Sequence, residues 1–173
     1  MKNKIIKLLG MSLLGGFLAL PAMGSLNREE VGVKAATTTT SSISPSTFTT
    51  DGYNSSSFTV NSVTFGRSNF GTVSKNLQIK KGTSNGVWNT SVPSNSYISA
   101  IKIVTNDGNG TKLTVGTSSK PTSNETSFSS ANTYSYTYTE TQNYTYFALM
   151  STNSGTPTLK EISVTFTTKT GGT

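Results

Sequence analysis

The sequence predicts an all-β fold, a two-sheet jelly-roll-like sandwich of about eight short strands, and three observations support this prediction. Residues 48–167 are dominated by Thr, Ser, Asn, Val, Ile, Tyr and Phe, whereas the helix formers Ala, Leu, Glu and Gln are scarce. Short alternating segments are separated by clusters of Gly, Asn, Asp, Pro and Ser, which is typical of sandwiches. The chain has no cysteine, so a hydrophobic core must hold the fold without disulfides or a Cys-type zinc site.

Eight segments carry the alternation, and we expect a strand at residues 57–65, 77–80, 86–89, 97–105, 111–117, 133–139, 144–150 and 160–167. The stretch NDGNG at 106–110 contains Asp-Gly and Asn-Gly pairs that accept positive φ, so we expect a hairpin there. In the last segment Ile162, Val164 and Phe166 alternate with polar residues, which directs these three side chains into the core.

The first 35 residues have the pattern of a secretory signal peptide. Three lysines precede the apolar run of residues 8–24, and small residues predict cleavage near residue 24 or near residue 35. A retained membrane anchor is the alternative, which the short, glycine-broken run disfavours. Cleavage after residue 24 would leave 11 basic and 7 acidic residues, a net charge of +4. We therefore expect a secreted, extracellular or cell-surface protein with no membrane span after processing.

The segments that flank the sandwich are expected to be flexible. Residues 36–47 are rich in Ser and Thr and cannot bury enough apolar surface to offset the entropy of ordering, so we interpret them as a linker. Residues 168–173 are interpreted as a flexible tail. The predicted sandwich domain therefore spans residues 48–167.

The stretch YSYTYTETQNYTYF at 134–147 raises the question of whether its rings line a core or a binding surface. Tyr134, Tyr136 and Tyr138 share one face of their strand and alternate with Ser and Thr. A strand must place something in the core, and only this face can do so. We therefore expect core packing for these three tyrosines, with ligand contact as the alternative.

Residues 140–143 can turn between two strands, so we expect a tyrosine-rich hairpin, and its second strand carries apolar residues on one face and two tyrosines on the other. Phe147 and Leu149 are the stronger candidates for the core, which leaves Tyr144 and Tyr146 pointing outward. Outward tyrosines can stack on the apolar faces of sugars or contact a protein, and cross-strand pairing on a solvent face is the alternative. We place both among the candidate ligand-binding residues.

Two further aromatic residues complete the candidate ligand set. Trp88, the only tryptophan, stands beside Val87 in a polar segment, and alternation allows one of the two side chains to point outward. An exposed Trp88 would be a strong anchor for a carbohydrate or protein, and a core ring is the alternative. Tyr97 lies at the edge of a loop and has the same two interpretations.

Catalysis and cofactors are not expected. The chain has no histidine and no cysteine, which removes histidine-based acid–base chemistry and thiol nucleophiles. A hydrolase with a carboxylate pair, such as Glu125 and Glu140, stays as a third hypothesis. Asp107 and Asn109 offer oxygens for calcium, although a hairpin turn explains them more simply. Nucleic-acid binding is not expected, since no dense Lys/Arg patch is present.

The order of short motifs resembles a known group of bacterial modules. The motifs are NLQIKKGTSNGVWNT at 76–90, ISAIKIVT at 98–105, LTVGTSSKPTS at 113–123, YSYTYT, YTYFAL and LKEISVTF at 159–166. They resemble the β-sandwich modules of secreted nucleases and surface proteins of Gram-positive and related bacteria. The resemblance implies a galactose-binding-like jelly roll with an accessory or adhesion role, and it brings no catalytic residues.

These observations together predict a secreted, non-enzymatic module that binds a glycan or polymer of the cell envelope or extracellular matrix. Trp88, Tyr97, Tyr144 and Tyr146 are the candidate contacts. The alternative is a protein-interaction or self-associating surface protein, because Ser/Thr-rich edge strands favour strand addition.

Overall fold

The computed structural model describes residues 35–107 and 109–170. These residues form an all-β sandwich of two packed antiparallel sheets, which confirms the predicted fold class. Thirteen strands are present, more than the predicted eight. The strands are β1 Thr38–Ile43, β2 Gly52–Asn54, β3 Phe58–Val60, β4 Val63–Ser68, β5 Phe70–Val73, β6 Asn76–Ile79, β7 Gly86–Asn89, β8 Ser96–Asp107, β9 Thr111–Gly116, β10 Thr126–Phe128, β11 Thr133–Thr137, β12 Tyr146–Ser151 and β13 Thr158–Thr168. Apart from Ala35, the predicted signal peptide lies outside the described residues.

The two sheets differ in order and enclose one core. The seven-stranded sheet has the order β11-β8-β13-β6-β5-β2, with β1 also paired to β13, and the six-stranded sheet has the order β10-β9-β12-β7-β4-β3. The core between them contains Phe65, Phe147, Val164 and other apolar residues that are almost fully buried. In β13 a register shift between Leu159 and Glu161 lets Leu159 join the inward face, and the predicted inward alternation after it is confirmed.

The segment predicted to be a flexible linker is largely ordered. Residues Thr38–Ile43 form β1, which pairs with β13 over six residues, and Pro45–Thr47 form a short 3-10 helix. Ile43 is fully buried, and the hydroxyls of Thr40 and Thr165 lie 3.0 Å apart across the strand pair. The linker prediction was wrong because composition reports little apolar surface within the segment. Composition does not show that the long strand β13 offers hydrogen-bonding partners to the backbone of this segment, or that the core has space for the side chain of Ile43.

Asn109 and Gly110 lie in a turn between β8 and β9, but this connection does not make the predicted hairpin. β8 lies in the seven-stranded sheet and β9 in the six-stranded sheet, so this connection leads from one sheet to the other. Four apolar residues that flank this connection are all buried, and they come from opposite sheets: Ile101, Ile103, Leu113 and Val115. Gly-rich turns accept both arrangements, and the choice depends on which partners flank each strand.

The Glu140–Asn143 turn crosses between the sheets in the same way. β11 pairs with β8, whereas β12 pairs with β7 and β9. The two tyrosine-bearing segments are therefore not hairpin partners. A hairpin does form within the predicted strand 57–65, where Asn61 and Ser62 take positive φ and join β3 to β4.

The last described residues are also attached to the sandwich. The backbone N–H of Lys169 donates to the carbonyl oxygen of Asn95 at 2.8 Å. The Thr170 hydroxyl donates to a carboxylate oxygen of Glu140 at 3.0 Å. Residues 168–170 of the predicted flexible tail are therefore hydrogen-bonded, and residues 171–173 lie outside the described residues.

Candidate functional site

The four aromatic candidates do not share one surface. Trp88 in β7 and Tyr146 in β12 belong to the six-stranded sheet, whereas Tyr97 belongs to β8 of the seven-stranded sheet. Tyr144 lies in the crossing between the sheets, and its carbonyl oxygen accepts the N–H of Ile98 at 2.6 Å. All four side chains are half-buried.

Trp88 lies flat on the outer face of the six-stranded sheet. Its neighbour Val87 is fully buried, so strand alternation turns the indole away from the core. Trp88 pairs with Gly66 on one side and with Ala148 on the other, and both are small. A Cβ at Gly66 would meet indole Cε2 and Nε1 at 2.7 Å, so only glycine leaves room for the ring there.

The other side of the indole is covered by a lysine from the loop between β9 and β10. Lys120 Nζ lies 4.3 Å from the indole centroid. Pro121 fixes this loop, because its carbonyl oxygen accepts the hydroxyl of Thr114 at 2.7 Å and its ring packs over Gly116. The predicted anchor ring is therefore enclosed between the sheet and an ammonium group. A ligand can reach its face only if Lys120 moves.

Tyr146 lies on the same outer face as Trp88. It stands two residues before Ala148, the cross-strand partner of Trp88, and this diagonal relation places the two residues about 7–8 Å apart. Phe147 and Leu149 are fully buried, so the predicted inward face of β12 is confirmed at these positions. We call Trp88, Lys120 and Tyr146 the aromatic–basic strip.

Asn89 holds the backbone on both sides of Tyr146, a role that the sequence analysis did not detect. Its side chain is fully buried and donates to the carbonyl oxygen of Thr145 at 3.0 Å and to that of Ser91 at 3.1 Å. Its amide oxygen accepts the N–H of Phe147 at 2.8 Å. One buried amide thus fixes the start of β12 beside the strand that carries Trp88.

A cavity of about 190 Å³ lies beside the strip. Lys112, Thr114, Lys120, Pro121 and Met150 are among its lining residues. The Lys112 ammonium is held by Glu125 at 2.8 Å, so Lys120 is the lining lysine without an ion pair in the described part of the chain.

Tyr144 does not have the exposed position expected for it. Its ring packs edge-on against Tyr138 at 5.3 Å, and both residues contact the core cluster. Burial, followed by the nearby Tyr136 and Tyr144, raises the pKa of Tyr138 to about 12. The prediction assumed a hairpin, in which Tyr144 would have alternated with Phe147 along one strand. Residue 144 instead precedes β12 and closes the edge of the sandwich.

The other tyrosines of the stretch follow the predicted core packing. Tyr134 and Tyr136 are half-buried on the inner face of β11, while Thr133, Ser135 and Thr137 are exposed. The ring of Tyr134 lies 4.5 Å from that of Phe128, and its hydroxyl is 3.2 Å from the carbonyl oxygen of Ser130. These rings cover the core edge rather than forming a surface platform.

The carboxylates that could have served a metal or a hydrolase have separate partners. Asp107 accepts the backbone N–H of Asn109 at 3.0 Å, which is a turn-stabilising bond. Glu125 pairs with Lys112, whereas Glu140 accepts from Thr170. Within residues 35–107 and 109–170, no cluster of three or more acidic residues is suited to hold a metal.

No helix in the described part of the chain is long and apolar enough to cross a membrane. Comparisons of the chain with protein-family models, with curated proteins and with solved structures find no match. The structure thus defines the class as an all-β, two-sheet sandwich.

Proposed function

We propose that this chain is a secreted, non-enzymatic module that binds glycans of the cell envelope or extracellular matrix. The observation that carries this proposal is the aromatic–basic strip on the outer face of the six-stranded sheet. We also propose that the module is an accessory or adhesion domain of the galactose-binding-like kind. The absence of histidine and cysteine from the sequence supports a binding role rather than catalysis.

The strip combines the two chemistries that an acidic glycan requires. The indole of Trp88 and the phenol of Tyr146 offer aromatic surface to the C–H faces of sugar rings, and both residue types are common anchors of binding sites. Lys120 supplies an ammonium group that attracts a carboxylate or phosphate on the polymer. The net charge of +4 expected after removal of residues 1–24 also favours an anionic polymer.

Lys120 can uncover the indole at a small energetic cost. A cation–π contact at a half-exposed site contributes about 0.5–1 kcal/mol. Among the described hydrogen bonds and ion pairs, Lys120 Nζ has no further partner. An acidic group on the polymer would therefore draw Lys120 away from the ring and expose the indole to the neighbouring sugar.

A panel of acidic and neutral glycans tests this proposal, with isothermal titration calorimetry as the measure of binding for every variant. Trp88→Phe and Tyr146→Ala should each weaken binding of an acidic glycan by at least about tenfold. Lys120→Gln should weaken binding of acidic glycans and should leave binding of neutral glycans unchanged or slightly tighter, because the cation–π contact over the indole is lost as well. Tyr97→Ala, on the other sheet, is the matched aromatic control and should retain binding. The proposal is rejected if no glycan binds, or if Tyr97→Ala weakens binding as much as Tyr146→Ala does.

Strand addition is a second candidate function, and the edge strand β11 favours it. β11 pairs only with β8, and Thr133–Thr137 contains no charge and no proline. Such an edge can accept another strand. Ser135→Glu would place a carboxylate opposite Lys102 and block the edge without disturbing the core. Sedimentation should then show a concentration-dependent oligomer for the unmodified chain and a monomer for Ser135→Glu. A monomer at all concentrations would reject this function.

A further inference from the structure

A second site lies on the inner face of β4 in the six-stranded sheet, where the charged group of Arg67 meets the core. Along β4 the side chain alternates to the same side as the buried Val63 and Phe65. The guanidinium carbon lies 4.4 Å from the ring centroid of Phe48 and 5.3 Å from that of Phe58. Desolvation by this apolar surrounding lowers the pKa of Arg67 from its usual value. The charge is thus held partly out of water.

The hydrogen bonding of Arg67 is incomplete. One terminal nitrogen donates to the carbonyl oxygen of Phe70 at 3.5 Å, and the other donates to the hydroxyl of Ser56 at 3.3 Å. Both bonds are long, and Nε is buried without an acceptor. Neither of the ion pairs found in residues 35–107 and 109–170 involves Arg67. A guanidinium has five N–H donors, so most of its donor capacity is unused.

The same side chain lines a cavity that is open to solvent. The cavity has a volume of about 180 Å³ and is formed by residues 47–54 together with Arg67. Gly52, at φ 124°, lets this loop turn into β2, which is anchored on β5. Thr49, Thr50, Tyr53 and Asn54 are among the lining residues, and the hydroxyl of Tyr53 donates to the side-chain oxygen of Gln78 at 2.9 Å. We call this space the Arg67 cavity.

We propose that the Arg67 cavity binds a singly charged carboxylate group, with the terminal nitrogens of Arg67 as its main donors. The planar guanidinium matches the two oxygens of a carboxylate and binds them in parallel. A partly buried charge without a counter-charge is costly, and such a ligand would remove that cost. Asp51 also lines the cavity, so a doubly charged phosphate would meet about twice the repulsion that a single carboxylate meets. The carboxylate can belong to a free acid, an acidic sugar or a peptide C-terminus.

Nuclear magnetic resonance of the arginine side chains provides a direct test with the full chain. The sequence has two arginines, Arg28 and Arg67, and Arg67→Lys assigns the resonance of interest. The buried Nε–H of Arg67 should exchange slowly and remain visible. Sodium acetate should shift it to saturation at millimolar concentrations. Sodium chloride and phosphate at equal ionic strength should produce only small, non-saturating shifts.

Variants separate a binding role of Arg67 from a purely structural one. Asp51→Asn leaves Arg67 in place, and it should tighten acetate binding several-fold and admit phosphate. Arg67→Lys should abolish saturable acetate binding, as read from the amides of residues 49–54. Lys160→Gln, a change at an exposed cation on β13, is the matched control and should alter nothing. Trp88→Phe should also leave acetate binding intact, so this proposal can fail or hold independently of the glycan proposal.

Three probes distinguish the sources of the carboxylate. Glucuronate and an N-acetylated dipeptide with a free C-terminus are titrated beside acetate. At least tenfold tighter binding of one probe assigns the source, and equal binding supports recognition of the carboxylate alone. The proposal is overturned if acetate produces no saturable shift, if chloride or phosphate matches acetate, or if Asp51→Asn leaves the response unchanged.

Discussion

Replacing Gly66 with alanine should lift the indole of Trp88 off the sheet. The new Cβ would lie 2.7 Å from Cε2 and Nε1, whereas ordinary contact begins at 3.4 Å, so the ring must move by about 0.7 Å. It would move towards Lys120, whose ammonium lies 4.3 Å from the ring centroid. Overpacking costs about 1–3 kcal/mol, and alanine recovers about 0.5–1 kcal/mol relative to glycine in a strand. We expect a net loss of about 1 kcal/mol in the free energy of unfolding.

Urea unfolding followed by circular dichroism measures this loss, and the emission of the only tryptophan should report a changed indole environment. A double-mutant cycle with Trp88→Val supplies the control. Without the indole, Gly66→Ala should become neutral or stabilising by about 0.5–1 kcal/mol, because only the glycine penalty remains. An equal cost of Gly66→Ala in both backgrounds would refute the placement of the indole on Gly66.

Three further predictions concern the parts of the sandwich that the sequence analysis missed or misjudged. Ile43→Ala should lower the free energy of unfolding by about 2–5 kcal/mol in urea titrations, because its side chain is fully buried, while exposed Thr38→Ala should have little effect. Asn89→Ala should cost about 1–3 kcal/mol by the same measurement and weaken glycan binding, since it leaves three backbone groups without their partner. Tyr138 has a raised folded-state pKa of about 12, so its contribution to stability is complete below the ordinary pKa of 10 and is lost as pH rises through 12. Tyr138→Phe should therefore make the stability decline less between pH 10 and 12 in urea titrations, and an unchanged decline would contradict the assignment.

The strand positions that sequence reasoning located well are those with a strong local signal. β7 has the predicted bounds, and β8 and β13 agree with their predicted segments to within about two residues at each end. Long alternation defines β8 and β13 because an inward face is recognisable without knowledge of the partner, whereas the four-residue β7 was located without it. β2, β5 and β10 have three or four residues each, too few to show a period, and pairing with neighbours defines them instead.

The candidate site was predicted only in part for the same reason. Alternation correctly placed Tyr146 on the outer face, and Trp88 lies there as well. Each orientation depends only on the pleat of the strand that carries the residue. Lys120 and Arg67 were not detected, because each acquires its role from residues distant in the chain. Lys120 reaches Trp88 from a loop, and Arg67 meets Phe48 across the sandwich. A single basic residue in a polar segment carries no signal of such contacts.

The two mistaken hairpins show why local turn chemistry does not determine a sandwich topology. A turn such as NDGNG specifies that the chain reverses, and a reversal serves a hairpin and a crossing between sheets equally well. The difference lies in the flanking strands: β8 is paired on both sides, by β11 and β13, and therefore has no edge left for β9. β11 keeps one free edge, yet β12 pairs with β7 and β9 in the other sheet, and Tyr144 packs against Tyr138 at the crossing. The candidate surface is smaller than predicted because the topology uses Tyr144 to close the core edge, which leaves Trp88 and Tyr146 as the aromatic pair on the outer face.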